Sequence, residues 1–326
     1  MSRIMLAFML IGLTSGCATA VEGEPKAVGA VDPSNYYGFE LSAEEQQRLL
    51  LNQAVRQIEP CGLVDEAAIA QQGQVVAFGP GDTVGDCEIR YLPPGRDPDN
   101  SVWVTVDLAS PVVLGPQAGD ADGAPLYESS SGGGSDYCYR YLALDIELPD
   151  VESGNSEVTV KPPVAYAYIS VYSAEGPPCE AVAAIARMVV ANLRSGPPQR
   201  DADTPIPLAT VDPCALVGNL PADFSATKVR FDDGPFKCNI ELGDDRRLAI
   251  TYQLSPDLDL PDERRVEWAD GVFVVDDSSG CFAQFEPGTR VTTVADDPHV
   301  VQVLFQTFTC DTVEDLADSI AATYGV

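Results

Sequence analysis

Residues 179–193, CEAVAAIARMVVANL, reappear in altered form at residues 310–324 as CDTVEDLADSIAATY. Both segments begin with a cysteine and place apolar side chains at the same offsets of i, i+3, i+4, i+7 and i+11. These side chains are Val182, Ile185, Ala186, Val189 and Leu193 in one segment, and Val313, Leu316, Ala317, Ile320 and Tyr324 in the other. That spacing puts them on one stripe of a helix. Each segment therefore predicts an amphipathic helix that opens on a cysteine and packs against a core.

The segments before these two helices also correspond to each other, in the same order. Short motifs match at residues 60–64 and 213–217, 87–89 and 238–240, 102–106 and 248–252, 138–139 and 281–282, and 164–172 and 299–308. Alternating β-branched residues in several of them indicate strands. The sequence therefore predicts an α+β fold of two tandem, similar, disulfide-bonded domains. Each is expected to be a twisted antiparallel sheet of about four to six strands with a short opening helix and a closing C-terminal helix.

Composition sets the boundaries between these parts. A segment rich in Gly, Ala, Pro and Glu predicts a flexible tether, and a proline-rich segment predicts an extended linker. The resulting division is a lipoprotein signal peptide at residues 1–17, a tether at 18–40, the first four-cysteine repeat with a leading helix at 41–194, the linker at 195–210, and the second four-cysteine repeat at 211–326.

Two local features complete this division. Ser42 and Glu45 have the spacing of a capping box, which predicts the start of the leading helix. The first repeat is longer than the second because of Gly-, Ser- and Pro-rich segments at residues 107–136 and 145–163. Segments of this composition predict surface loops.

The N-terminal segment has the pattern of a targeting signal. Residues 4–13 form an apolar run too short to span a bilayer, and Thr14-Ser15-Gly16-Cys17 follows. Small residues before a cysteine resemble the lipobox of bacterial lipoproteins, although lipoboxes usually carry leucine where Thr14 stands. The resemblance implies that Cys17 is lipidated and that the exported protein is anchored to the outer face of the cytoplasmic membrane. A plain secretory signal and an uncleaved short anchor remain as alternatives.

Cysteine use agrees with export. The chain has nine cysteines, and lipidation of Cys17 leaves an even number, which indicates disulfides in an oxidising compartment. We assume that pairs form within each repeat and are the same in both. Pairing of the first cysteine of a repeat with the fourth stays open, but sequential pairing is preferred and predicts Cys61–Cys87, Cys138–Cys179, Cys214–Cys238 and Cys281–Cys310.

The charge balance restricts the partners. Asp and Glu number 50 against 19 Lys and Arg, a net charge of −31. A surface this negative repels phosphate backbones and anionic lipid heads, so nucleic acid is excluded as a partner.

Motifs of common active sites are missing from the sequence. G-x-S-x-G, H-E-x-x-H, the phosphate-binding loop and the dinucleotide fingerprint do not occur. The single histidine, His299, stands at a strand start and is interpreted as structural. Adjacent Asp pairs in the second repeat are interpreted as turn residues. We therefore expect no enzyme activity and no catalytic, metal-binding or cofactor-binding residues.

Tyrosine supplies the strongest candidate for a binding surface. Two sets alternate along the predicted strands, and alternation places each set on one face of a sheet. Such a face could bind a glycan or a peptide; alternatively, a helix or loops of the same repeat cover the rings. The second repeat lacks an equivalent set. The two sets are Tyr137, Tyr139 and Tyr141, and Tyr166, Tyr168 and Tyr172.

The cysteine frame resembles a known family. Asp212-Pro213-Cys214-Ala215-Leu216, a later Cys-x-Ile at a strand start and a terminal Cys-Asp before an Ala-rich helix are similar to the secreted actinobacterial lipoproteins of unknown function with a DPCxL four-cysteine domain. The first repeat departs from this pattern at Glu59, which replaces Asp. The resemblance implies a mycobacterial-type cell envelope, with no established activity and no catalytic residue to carry over.

These expectations combine into one functional hypothesis. The chain is expected to be a non-catalytic cell-envelope lipoprotein, a binding or interaction module whose partner is an envelope protein or a glycan. One alternative is a carrier of a small ligand or lipid, which requires an apolar cavity. Another is an envelope hydrolase using acidic residues, which requires two carboxyl groups facing each other across a cleft.

Overall fold

The computed structural model contains two antiparallel β-sheets, one formed by each half of the sequence. The structure describes residues 33, 35–108, 114–129, 136–149, 151, 163–174, 179–200, 206–231, 234–243, 246–256, 266–268, 272–277, 280–285, 290–294, 298–307 and 310–324. Among them, no helix is long and apolar enough to cross a membrane. The mixed α+β class expected from the sequence is confirmed.

The first sheet has seven strands. They are β1 Gln74–Pro80, β2 Asp86–Leu92, β3 Val102–Asp107, β4 Leu114–Ala121, β5 Ala124–Ser129, β6 Tyr137–Leu144 and β7 Ala165–Tyr172. Their order across the sheet is β1-β2-β3-β7-β6-β5-β4, with antiparallel neighbours throughout. Val102, Val104 and Val106 of the interior strand β3 are buried because alternate side chains point to the same side of a sheet.

The second sheet has eight strands. They are β8 Ala226–Arg230, β9 Lys237–Leu242, β10 Arg247–Pro256, β11 Val266–Trp268, β12 Val272–Asp277, β13 Gly280–Phe285, β14 Arg290–Thr292 and β15 Pro298–Thr307. Their order is β11-β12-β13-β15-β10-β9-β8, and the short strand β14 pairs separately with β15. Each sheet therefore has more strands than the four to six predicted.

The strand order is the same in both sheets. Counted from the matching edge, the second sheet runs β8-β9-β10-β15-β13-β12-β11, with β14 as an addition. Cys87 and Cys238 lie on the corresponding strands β2 and β9, and Cys138 and Cys281 lie on β6 and β13. The cysteine motifs that match in the sequence thus lie on matching strands of the two sheets.

A β-hairpin occupies part of residues 107–136, where the sequence predicts a surface loop. Ala121 pairs with Ala124, so Asp122 and Gly123 alone connect β4 to β5. Both have positive φ, 50° and 88°, the backbone that a tight two-residue hairpin turn requires. Glycine and proline in β4, together with its exposure, hide the alternation that normally indicates a strand.

Helices open and close each half. They are α1 Ala43–Gln57, α2 Glu66–Ala70, α3 Cys179–Arg194 and α4 Cys310–Tyr324, with short 3₁₀ helices at Pro60–Leu63 and Ala215–Asn219. At the start of α1 the Ser42 hydroxyl accepts from the Glu45 amide and the Glu45 carboxylate accepts from the Ser42 amide, which confirms the predicted capping box. The two cysteine-led helices are also confirmed.

The apolar stripes predicted for α3 and α4 face the sheets and are buried against them. Helix α3 packs on β6 and β7, and its stripe residues Val182, Ile185, Ala186 and Val189 are at most 2% exposed. Helix α4 packs on β12, β13 and β15. Its Leu316 and Ile320 are fully buried, and Tyr324 donates its hydroxyl to the Pro213 carbonyl at 2.8 Å. The stripes therefore serve packing.

Disulfides connect the helical segments to the sheets as predicted in three cases. Cys61–Cys87 ties the 3₁₀ helix Pro60–Leu63 to β2, and Cys214–Cys238 ties the residue before the 3₁₀ helix Ala215–Asn219 to β9. Cys138–Cys179 ties β6 to α3. Cys281 is also disulfide-bonded. The Cys310 side chain, its predicted partner, lies outside the described residues, as does Cys17.

The leading helix α1 contacts the cores of both halves. Its Leu51 and Val55 belong to the first core, whereas Leu49 belongs to the second. Just before the helix, Tyr36 is fully buried in the second core, although it falls within the predicted tether at 18–40. This part of the predicted tether is therefore anchored on the second sheet.

Two buried arginines link the halves in a crossed arrangement. Arg56 of α1 lies 3.7 Å from Asp212, the acidic residue before the first cysteine of the second half. Arg200, which follows α3, lies 3.8 Å from Glu59, the corresponding residue of the first half. Arg200 also donates to the Val84 carbonyl at 2.7 Å. Each cysteine motif is thus held by an arginine from a segment that precedes the other half.

Candidate functional site

Tyrosines of β6 and β7 lie on one face of the first sheet, as their alternation predicts. Antiparallel pairing sets Tyr137 opposite Tyr172 and Tyr141 opposite Tyr168. Tyr127 of β5 joins the same face because it pairs with Tyr141. We call this surface the tyrosine face and define it as Tyr127, Tyr137, Tyr139, Tyr141, Tyr166, Tyr168 and Tyr172.

Most of the rings form a continuous network. Tyr137 and Tyr139 stack with planes 11° apart and centroids 5.6 Å apart, and Tyr139 stacks on Tyr168 at 19° and 5.7 Å. Tyr168 contacts Tyr141 at 5.4 Å, and Tyr137 contacts Tyr172 at 4.6 Å. Ring pairs of this kind contribute about 0.5–1.5 kcal/mol each, so they order the side chains before any ligand arrives.

The tyrosine face points away from the closing helix. The alternate residues of the same strands, such as Leu142 and Ile169, are buried in the core beneath α3. Tyr137 is 42% exposed and Tyr141 is 5% exposed, while the other rings are partly exposed. Helix α3 therefore does not cover the rings, and most of them reach solvent.

The corresponding face of the second sheet has a different character. Gln284 of β13 and Gln302 of β15 occupy the positions that Tyr141 and Tyr166 occupy in the first sheet. Gln284 is 5% exposed and Gln302 is fully buried, where its side-chain oxygen accepts from Gln253 at 3.1 Å. A tyrosine-lined, partly exposed face is therefore a feature of the first half.

Charged residues border the tyrosine face on β2 and β3. Asp107 pairs with Tyr168 and Trp103 pairs with Tyr172, so both share the orientation of the tyrosines. The Arg90 guanidinium lies 4.6 Å from the centroid of the Trp103 ring. Burial, together with the neighbouring tyrosines and Asp107, raises the pKa of Tyr168, so its hydroxyl stays neutral at physiological pH. The border combines carboxylates with an arginine already stacked on an aromatic ring.

A cluster of acidic residues lies where the β1–β2 turn meets the second sheet. The buried His299 places Nε2 3.5 Å from Asp82 Oδ1. Burial and the nearby Asp107 carboxylate raise the pKa of Asp86 to about 8. Burial and, to a smaller extent, the negative charge of Asp82 also raise the pKa of Glu88. Within the described ranges, no group of three or more His, Cys, Asp and Glu residues could hold a metal ion. The contact between Asp82 and His299 brings the β1–β2 turn of the first half against the second half.

A separate cavity lies between α1, α3 and the C-terminal end of β6. Its volume is about 550 Å³, within the range of small-molecule pockets. The apolar lining includes Ala54, Ile58, Ala143, Ile146, Val190 and Leu193, and the polar lining includes Gln57, Asp145, Glu147, Arg194 and Gln199. The Arg194 guanidinium donates to the Asp122 carbonyl at 2.8 Å. The cavity therefore has the volume of a small-molecule site and a lining that is partly apolar and partly charged.

Sequence patterns missed several residues of the tyrosine face and its border. Tyr127 lies in the predicted loop, but the Asp122-Gly123 dipeptide is a hairpin signal that points to strands on either side. Trp103 and Asp107 stand in a strand that the sequence does predict. No pattern in a single sequence indicates that this strand lies beside β7, which begins at Ala165.

Comparison with known proteins found no counterpart: no family model, curated protein or solved structure matches this chain.

Proposed function

We propose that the protein is a non-catalytic cell-envelope lipoprotein that binds a partner through its tyrosine face. The observation that carries the proposal is the network of stacked, partly exposed rings across β6 and β7. Tyrosine offers a large contact area and a polar hydroxyl at a low cost in conformational entropy, which is why it is common in binding surfaces. The rings are already ordered against one another, which favours binding further.

Attachment to the envelope rests on the N-terminal segment. Cys17 and the preceding small residues support lipidation, and the disulfides support an oxidising compartment. We further propose that the two halves are tandem copies of one domain. The identical strand order and the matching positions of the cysteines support this duplication. The copies then diverged on this face, where Gln284 and Leu304 stand at the positions of Tyr141 and Tyr168.

Replacing Tyr139 or Tyr168 with serine is expected to remove the binding partner while the fold survives. Both side chains are partly exposed, and neither belongs to the apolar core. Affinity capture from native envelope extracts, with thermal melting of each variant, measures both properties. Val76→Ser is the matched control, because Val76 is 52% exposed on the same sheet but lies outside the tyrosine face. Identical captured material from wild type and both tyrosine variants would contradict the proposal.

A small-ligand carrier is the second candidate, and the cavity between α1 and α3 favours it. A neutral apolar fluorophore such as N-phenyl-1-naphthylamine is expected to bind there with saturable fluorescence. Ala54→Trp should fill the cavity and abolish most of the signal, because Ala54 is part of the lining. Leu50→Trp, on the same helix but outside the lining, should retain it. Equal binding by the two variants would remove the carrier hypothesis.

A further inference from the structure

We propose that the ligand of the tyrosine face is a cationic peptide segment, one that presents lysine or arginine side chains to the rings and the adjacent carboxylates. The inference rests on the proposed binding function and specifies the chemistry of its partner. It excludes a neutral glycan as the preferred occupant.

The charge of the whole chain is the first argument. A net charge of −31 attracts cations and repels anions at long range, which raises the encounter rate with a basic segment. A neutral glycan gains nothing from this field.

The layout of the face is the second argument. Strand pairing places Asp107, Tyr168, Tyr141 and Tyr127 side by side in one row across β3, β7, β6 and β5. A cation above this row meets the partly exposed rings of Tyr168 and Tyr127, on either side of the buried Tyr141, and a carboxylate at one end. Each such cation–π contact adds to the affinity because the ring quadrupole attracts the cation. Glu88, on β2 beside Thr105, adds a second carboxyl on the same side of the sheet.

The border of the face provides an internal example of this recognition. Arg90 lies over Trp103, and Trp103 is paired with Tyr172 of the tyrosine face. The Nε of Arg90 also donates to the Ser101 hydroxyl at 3.0 Å. This corner of the sheet therefore already holds one guanidinium on an aromatic ring. The tyrosines continue the same kind of surface across β7 and β6, and there the partner supplies the cations.

Binding of defined probes to the full-length, detergent-purified protein tests the inference. The probes are a capped peptide of four Gly-Lys repeats, a capped peptide of four Gly-Glu repeats and a neutral chito-oligosaccharide, followed by tyrosine fluorescence. We expect only the lysine peptide to bind, with affinity falling as salt rises from about 50 to about 500 mM. Asp107→Asn should weaken it several-fold, and Tyr139→Ser with Tyr168→Ser should weaken it about tenfold.

A single substitution tests the same surface if the double variant fails to fold. Tyr137 is the most exposed ring of the tyrosine face, so Tyr137→Ser should fold normally and still weaken peptide binding. Binding of the oligosaccharide but not of the lysine peptide would overturn the cationic ligand and leave the binding function intact. Equal binding of the lysine peptide by wild type and all tyrosine variants would overturn the inference as well. If the tyrosine variants also capture the same envelope material as wild type, the proposed function itself fails.

Discussion

Replacing Asp212 with alanine is expected to lower the free energy of unfolding by about 3–5 kcal/mol. The Asp212 carboxylate is 5% exposed and accepts the Tyr36 hydroxyl at 2.6 Å and the Cys214 amide at 3.1 Å. It also lies 3.7 Å from the guanidinium of Arg56, which is 4% exposed. Without the carboxylate, a buried cation and two buried donors lose a partner, which is a severe defect. Denaturant unfolding of the wild-type and variant proteins measures the difference.

The first half offers a matched control for this substitution. Glu59 has the same place before Pro-Cys and faces Arg200, but its side chain is 29% exposed. Glu59→Ala should therefore cost clearly less than Asp212→Ala, because Glu59 is partly solvated and Arg200 still donates to the Ile58 and Val84 carbonyls. Arg56→Met should also reduce the cost of Asp212→Ala when the two are combined. Equal costs for the two acidic residues would show that the buried link between α1 and the second half does not carry the stability assigned to it.

Replacing Asp86 with asparagine is expected to flatten the dependence of stability on pH. Burial and the Asp107 carboxylate raise the pKa of Asp86 to about 8, whereas a carboxyl of the unfolded chain titrates near its ordinary value of 3.8. The folded state therefore holds a proton that the unfolded state has lost. Stability is greatest below about pH 4 for this group and falls as pH rises to 8, by as much as about 6 kcal/mol.

Comparing Asp86→Asn with a substitution of an exposed acid separates the pH effect of Asp86 from that of the other acidic residues. Asparagine keeps an oxygen that can accept from the Gly81 and Thr83 amides, which both donate to Asp86 Oδ1 at 3.1 Å. Asp86→Asn should match wild type at pH 4 and exceed it in stability at pH 8.5. Asp99→Asn changes the charge equally at an exposed position and should leave the slope unchanged. A parallel pH profile for Asp86→Asn and wild type would contradict the buried, protonated carboxyl.

Local sequence patterns predicted the elements that depend on short-range physics. The stripes of α3 and α4, the capping box at Ser42 and three of the four predicted cysteine pairs follow from periodicity, local hydrogen bonding and order along the chain. The alternation of tyrosine likewise placed Tyr137 and Tyr139 on a shared face. These features need no knowledge of what lies far away in the sequence.

Local sequence patterns did not indicate the contacts and the strand order that depend on long-range packing. Tyr36 and Asp212 are 176 positions apart, and nothing near either residue indicates that they meet. The neighbour of β7 is β3 on one side and β6 on the other, which brings Asp107 to the tyrosines. Strand order depends on how whole sheets bury their apolar sides, so a single sequence predicts the strands better than their arrangement.

Photo-cross-linking from position 137 tests the central claim most directly, namely that the tyrosine face is an occupied binding surface in the envelope. Tyr137 is replaced by p-benzoylphenylalanine in the full-length protein expressed in its native cells, with Val76 replaced in the same way as the control position. The account predicts a discrete cross-linked product from position 137 that is absent from position 76 and lost when Tyr168→Ser is added. The same products from both positions, or none from position 137, would contradict it.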